Sequence, residues 1–229
     1  MYNQLRQEVL QANKALKKHE LIIFSWGNVS GIDRENGVFA IKPSGVAYDE
    51  LTADKIVIVD LDGNVVDGEL KPSSDTATHL ELYQHFENIG GICHTHSTYA
   101  TMWAQAQKEI PCYGTTHADH YYGTIPVTNS MDEESIASDY EKNTGTYIIN
   151  RFKNIEPLDM PAVLVANHGP FTWGESARAA VKNAVVLEEV AEMALGSKLI
   201  NPNLKSIDRN LLDKHFLRKH GKNAYYGQD

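Results

Sequence analysis

Cysteine is scarce: the 229-residue chain holds Cys93 and Cys112 and no others. Two thiols make neither the disulfide framework of a small secreted scaffold nor the cysteine-rich shell of a closed structural zinc site. Positive charge is also short. Lysine and arginine number 21 against 30 acidic residues, a formal net charge of −9. That balance argues against general affinity for nucleic acid, which needs a basic surface to displace counterions. It leaves room for a local positive pocket that takes an anionic small molecule. Long apolar runs are missing, so no stretch approaches a membrane span. The opening MYNQLRQEVLQANKALKK lacks the apolar core of a signal peptide. There is no internal repeat, low-complexity tract or linker. The expectation is a soluble cytoplasmic protein of one domain, residues 1–229, whose 42% hydrophobic content suffices for one core.

What is present alternates between helical and extended signals. Leu5, Val9, Ala12 and Leu16 recur at helical spacing, predicting an amphipathic opening helix over residues 2–20. SWGNVSG reads as a loop, GVFAIKPSG as a strand running into a turn, and KIVIVDLDGNVVDG as a hairpin turning near Asp62-Gly63. KPSSDTATHLELYQHF reads as a turn feeding a helix capped by Ser73 or Ser74. GGICHTH is the next strand and TYATMWAQA the next helix. DEESIASDYEKNTGTYIINRF reads as one long helical stretch, and PAVLVANHGP as an apolar strand. SARAAVKNAVVLEEVAEMAL and DRNLLDKHFLRKHG are the last helices. Together these predict a three-layer α/β/α arrangement around a mixed, largely antiparallel sheet.

Two histidines one residue apart stand out in GGICHTHS. In a strand, residues two apart share a face, so His94 and His96 would point one way, and Cys93, a core thiol, the other. His168 in NHGP and Asp75 in KPSSD are further ligand candidates. Three neutral imidazoles with one carboxylate suit a borderline divalent ion, zinc first, with manganese or cobalt tolerated. The residues alone also allow ordinary polar strand ends, and His79, His85, His117 and His120 compete. GNVSG, KPSG and KPSSD are rich in Gly, Ser and Asn, and Lys42 accompanies them. Such loops offer backbone N–H groups and hydroxyls to a phosphate, though ordinary turn chemistry uses the same residues. In THADHYYG, burial of Asp119 beside aromatic rings would raise its pKa toward acid–base use; the pattern alone favours a plain turn aspartate. The tyrosines of the tail AYYGQ read as proton donors or as packing anchors.

In this order, GNVS, IKPSG, KPSSDTATH, GGICHTHS, GTTHADHYYGTIP, NHGPFTWG, VLEEVA, LLDKHFLRKHG and AYYGQ resemble the class II (zinc-dependent) aldolase/epimerase family, over essentially the whole chain. The H-x-H pair with a downstream histidine is general to that family. The aspartate of KPSSD, the THAD segment and the YYGQ tail resemble its epimerases, whereas family aldolases tend to carry glutamate at the place of Asp75. The resemblance implies zinc held by His94, His96, His168 and Asp75. It implies binding of a phosphorylated pentulose by Asn28, Lys42, Ser44, Gly45, Ser73 and Ser74, and acid–base work by Asp119 and Tyr226. It further implies a homotetramer with sites between subunits, so that Tyr226 would serve a neighbour. The alternatives are a family aldolase that releases its fragments and a non-catalytic zinc-binding protein. A hydrolase of H-x-H-x-D-H type is disfavoured, because HTHSTY lacks the Asp-His.

Overall fold

A computed structural model describes residues 2–220, 222 and 224–226. Its centre is one seven-stranded sheet in the order β4-β3-β2-β1-β5-β7-β6. The strands are β1 (Asn28–Asp33), β2 (Val38–Ile41), β3 (Val57–Asp60), β4 (Val65–Asp67), β5 (Gly91–His94), β6 (Ala162–Leu164) and β7 (Pro170–Gly174). Every pairing between them is antiparallel. Among the described residues parallel pairing, expected for part of a mixed sheet, is confined to the isolated bridge between Val127 and Leu164.

Among the described residues eight α-helices surround the sheet: α1 (Asn3–Lys18), α2 (Thr76–His85), α3 (Thr98–Gln105), α4 (Thr115–Ala118), α5 (Glu133–Ala137), α6 (Tyr140–Arg151), α7 (Ala177–Ile200) and α8 (Arg209–His220). Strand alternation splits the apolar residues between two clusters. Val29, Ala40, Ile58 and Cys93 pack with Val9 and Leu16 of α1 and the first half of α7. Phe39, Val59, Ile92 and Phe171 pack with α2, α3, α6 and the second half of α7. Helices thus cover both faces, as the three-layer reading requires.

Local signals explain several of the boundaries. Gly63 turns the β3–β4 hairpin at φ +89°, and Ser176 caps α7 by accepting from the Ala179 N–H. Four differences from the sequence reading matter for the site. NVSG, the second half of SWGNVSG read as loop, belongs to strand β1. PFTWG forms strand β7, which hairpins with β6 through a turn where Asn167 adopts φ +63°. The stretch read as one long helix breaks at Ser138-Asp139 into α5 and α6. The cap of α2 is Asp75, not Ser73 or Ser74, and its side chain caps nothing.

Candidate active site

His94 is the last residue of β5 and lies opposite Asn28 of β1 in the sheet register. Its ring stacks on Phe171 at 4.2 Å between centroids. Its Nδ1 stands 2.9 Å from the Pro170 carbonyl oxygen. A carbonyl can only accept, so Nδ1 carries the hydrogen and Nε2 keeps a free lone pair. That Nε2 lies 3.1 Å from His96 Nε2. The strand has already ended at His94, and the chain turns Thr95 inward before presenting His96. The convergence expected from strand alternation is therefore reached through a strand end and a turn. His168 joins from the β6–β7 turn, its ring 4.7 Å from His94 and 5.0 Å from His96. Gly169 lets that turn press close, since a Cβ there would meet Thr95 O at 2.9 Å.

The three ligand nitrogens lie within 4.8 Å of one another, the one such group of three among the described residues. Burial lowers the pKa of all three rings, that of His168 to about 4. At neutral pH they are uncharged, with lone pairs available. Nδ1 of His168 is buried with no partner among the described residues, an arrangement that costs free energy unless something outside the chain satisfies it. Neutral imidazoles gathered in this way suit a divalent ion such as zinc, whose metal–nitrogen bonds of about 2.0–2.1 Å would draw the nitrogens closer together. Three of the four competing histidines are engaged elsewhere: His79 with Ser30, His85 with the Glu81 carbonyl and His117 with the Gly123 carbonyl.

Asp75 shares the cleft but stands outside the three-nitrogen group. Its Oδ2 accepts from Asn28 Nδ2 at 2.6 Å, so the carboxylate is turned to the cleft wall instead of capping α2. Burial pushes its pKa up, but His94, His79 and the Asn28 amide outweigh burial and hold it below the usual carboxylate value.

The two K-P loops are zipped together. Ser44 N–H donates to the Lys71 carbonyl and Ser73 N–H to the Lys42 carbonyl, which leaves the N–H groups of Gly45 and Ser74 outside that ladder. Lys42 is only 2% exposed. Its Nζ donates to the Pro43 carbonyl and lies 5.0 Å from the centre of the Tyr48 ring. Burial lowers its pKa to about 8. Asn28, Lys42, Ser44, Gly45, Ser73, Ser74, Asp75, His94, His96 and His168 all line one cleft of about 570 Å³.

Asp119 and Tyr226 do not line that cleft. Asp119, at the end of α4, faces α8 and accepts hydrogen bonds from Arg218 at 2.9 Å and His215 at 2.9 Å, with Lys219 at 3.2 Å. Burial raises its pKa, but these partners outweigh burial and the net direction is down, the opposite of the sequence expectation. Tyr226 is exposed and lies against Arg218 and Lys219.

Cleft residues not singled out from the sequence include Trp26, Tyr140 and Glu141. Trp26 directly precedes GNVSG, and the Asp139 before α6 marked the break that brings Tyr140 to the cleft. Each histidine of the cluster has an aromatic neighbour from another segment. Phe171 lies under His94, Trp26 lies 6.2 Å from His96, and Tyr140 lies 6.3 Å from His168.

Residues 7–195 match the family profile described as the class II aldolase and adducin N-terminal domain. The chain is similar to a solved L-fuculose 1-phosphate aldolase, with 27% identity and a TM-score of 0.78 over 93% of this chain and 94% of that one. YgbL from Klebsiella pneumoniae shares 25% identity at a TM-score of 0.72, over 92% and 97% of the two chains. The L-fuculose 1-phosphate aldolase of Glaciozyma antarctica shares the fold at 19% identity, with a TM-score of 0.77 over 97% and 84%.

Proposed function

Because the chain belongs to the class II aldolase and adducin family, we propose that it is a zinc-dependent L-ribulose-5-phosphate 4-epimerase. It interconverts L-ribulose 5-phosphate and D-xylulose 5-phosphate by breaking the C3–C4 bond, turning the aldehyde fragment over and re-forming the bond. One observation carries this reading: a cluster of three neutral imidazoles and a lysine–serine–glycine anion cradle share one cleft. The preference for an epimerase over other family chemistry comes from the KPSSD, THAD and YYGQ motifs.

The C4 proton is not acidic, so inversion by simple deprotonation at that carbon is unfavourable. The C2 ketone instead makes C3–C4 cleavable. Loss of the C4 hydroxyl proton turns that oxygen into a carbonyl, and the C3–C4 electron pair moves toward the C2 ketone. Zinc, held by His94, His96 and His168 with Asp75 as a further ligand, would supply Lewis-acid stabilisation of the resulting negative charge; manganese or cobalt would serve similarly. Asn28 orients Asp75 through their hydrogen bond.

Lys42, Ser44, Gly45, Ser73 and Ser74 retain the glycolaldehyde phosphate by its phosphate, so the aldehyde can turn without leaving. Asp119 and Tyr226 act on opposite faces: one accepts the C4 hydroxyl proton and the other returns one after re-addition. They reach the cleft from a neighbouring copy in a homotetramer, with sites at the subunit interfaces. The setting is pentose catabolism, with arabinose as the leading source. Among the described residues no helix is long and apolar enough to cross a membrane.

The 27% identical L-fuculose 1-phosphate aldolase favours a second reading, a sugar-phosphate aldolase that releases its fragments. Incubation of the purified, zinc-loaded protein with L-ribulose 5-phosphate tests both. Accumulation of D-xylulose 5-phosphate is expected. Net release of two- and three-carbon fragments would favour the aldolase, and no conversion of the pentulose would end the epimerase reading.

A further inference from the structure

Trp26 is 52% exposed, and its neighbour Phe24 is 82% exposed. Exposure of two adjacent large rings is costly without a purpose. The segment is nevertheless built with care. Trp26 N–H donates to the Ile23 carbonyl, Phe24 adopts φ +55°, and the Phe24 ring meets the indole edge-on at 6.0 Å.

Gly27 follows at φ +82°, pressed so close to β5 that a Cβ would lie 2.7 Å from the His94 carbonyl oxygen. The Gly27 carbonyl accepts from the Tyr48 hydroxyl at 2.9 Å, and the Tyr48 ring faces Lys42 Nζ. Trp26 is therefore tied on one side to the histidine cluster and on the other to the buried lysine of the anion cradle. The other two tryptophans spend their indole N–H groups on carbonyls, Trp103 on Ala191 and Trp173 on Pro157. The indole N–H of Trp26 has no protein acceptor among the described residues.

From this placement we infer that Trp26 is a substrate-contacting specificity residue, the wall that keeps the aldehyde phosphate fragment in the cleft between bond breaking and bond re-formation. The inference rests on the proposed retro-aldol reaction. A small aldehyde anchored only by its phosphate can swing out to water. An indole beside His96 at 6.2 Å, lining the same cleft as the phosphate cradle, closes that path with an apolar face and offers one N–H donor to a fragment oxygen. A cleft with this wall re-adds the fragment, and one without it leaks.

The test compares full-length, zinc-loaded wild type with Trp26→Phe and Trp26→Ala. Three quantities are measured: free glycolaldehyde phosphate trapped per molecule of pentulose epimerised, KM, and bound zinc. For Trp26→Ala the trapped fraction should rise about tenfold and KM several-fold, with zinc unchanged; Trp26→Phe should stay within about threefold of wild type. A trapped fraction and KM within twofold of wild type in Trp26→Ala would overturn the inference and leave the epimerase reading intact. So would a change confined to oligomeric state.

Tryptophan emission gives a readout independent of turnover. Metal-free wild type titrated with glycolaldehyde phosphate should change its emission through the exposed Trp26, and Trp26→Phe should not respond. An unresponsive wild type, or an equal response in Trp26→Phe, overturns the inference. If wild type fails to convert the pentulose phosphate, the functional reading falls and the titration still decides whether Trp26 contacts the ligand.

Discussion

His94 donates its Nδ1 hydrogen to the Pro170 carbonyl oxygen at 2.9 Å, so β7 sets the tautomer of a ring carried by β5. A backbone acceptor of this kind orients a histidine and raises its basicity toward a metal. His94 is also stacked on Phe171 and 2% exposed, so removing it would damage the core as well as the cluster. His96 is half-buried and is the cleaner probe. His96→Ala should weaken divalent-metal binding by more than about 100-fold while shifting the melting temperature of the metal-free protein little. Chelator competition and metal analysis give the first quantity, and a thermal scan gives the second. Metal retained at wild-type affinity would rule these histidines out as its site.

Lys42 gives the cleft a pH dependence. Burial lowers its pKa to about 8, so the side chain is cationic below that pH and neutral above it. Affinity for a phosphate ester should fall as pH rises through about 8, read as a rising KM with kcat less affected. Stability moves the other way. The unfolded lysine titrates near 10.5, so the unfolded chain binds more protons between the two values, and this residue's share of stability grows with pH across that window. Lys42→Met should flatten the KM profile. A profile that still rose through pH 8 in Lys42→Met would show that another group titrates.

The ligand candidates were legible because their signal is local: paired histidines in GGICHTHS, a histidine in NHGP, and serine–glycine loops after lysine. Strand β1 was not. NVSGID has low intrinsic strand preference, and it is extended because β2 and β5 pair with it on both sides. Its polar residues serve other elements, Ser30 bonding His79 and Tyr83 of α2. β7 was hidden because it opens with a proline directly after a turn glycine. The direction of the Asp119 shift was misread because Arg218 lies 99 residues further along the chain, beyond the reach of any local pattern. Trp26 and Tyr140 gain meaning only from the rings they meet across the cleft.

Gly27 combines two sources of strain, and Gly37 has only one of them. Both have positive φ, +82° and +63°. A Cβ at Gly27 would press on the His94 carbonyl oxygen at 2.7 Å, whereas Gly37 opens onto empty space. Gly37→Ala should cost about 1 kcal/mol, the left-handed backbone penalty alone. Gly27→Ala should cost about 2–4 kcal/mol, by adding a backbone clash to that penalty, and should weaken metal binding by displacing the end of β5. Urea midpoints with metal titrations decide it, and equal midpoints for the two variants would show that the clash relaxes without cost.

Asp119 offers the sharpest separation of stability from chemistry. His215, Arg218 and Lys219 hold its carboxylate ionised, with a pKa below the usual 3.8. A group depressed in this way stabilises the fold above its unfolded pKa, and that contribution disappears as pH falls through the folded value. Wild type should therefore exceed Asp119→Asn in stability at neutral pH, and the gap should close below about pH 4. If Asp119 also moves a proton at the C4 oxygen from a neighbouring copy, Asp119→Asn should lose about 10²- to 10⁴-fold in kcat with metal content intact. A variant with the stability loss but full turnover would leave the carboxylate a purely structural anchor for α8, and Tyr226 would then need a different partner for the second face.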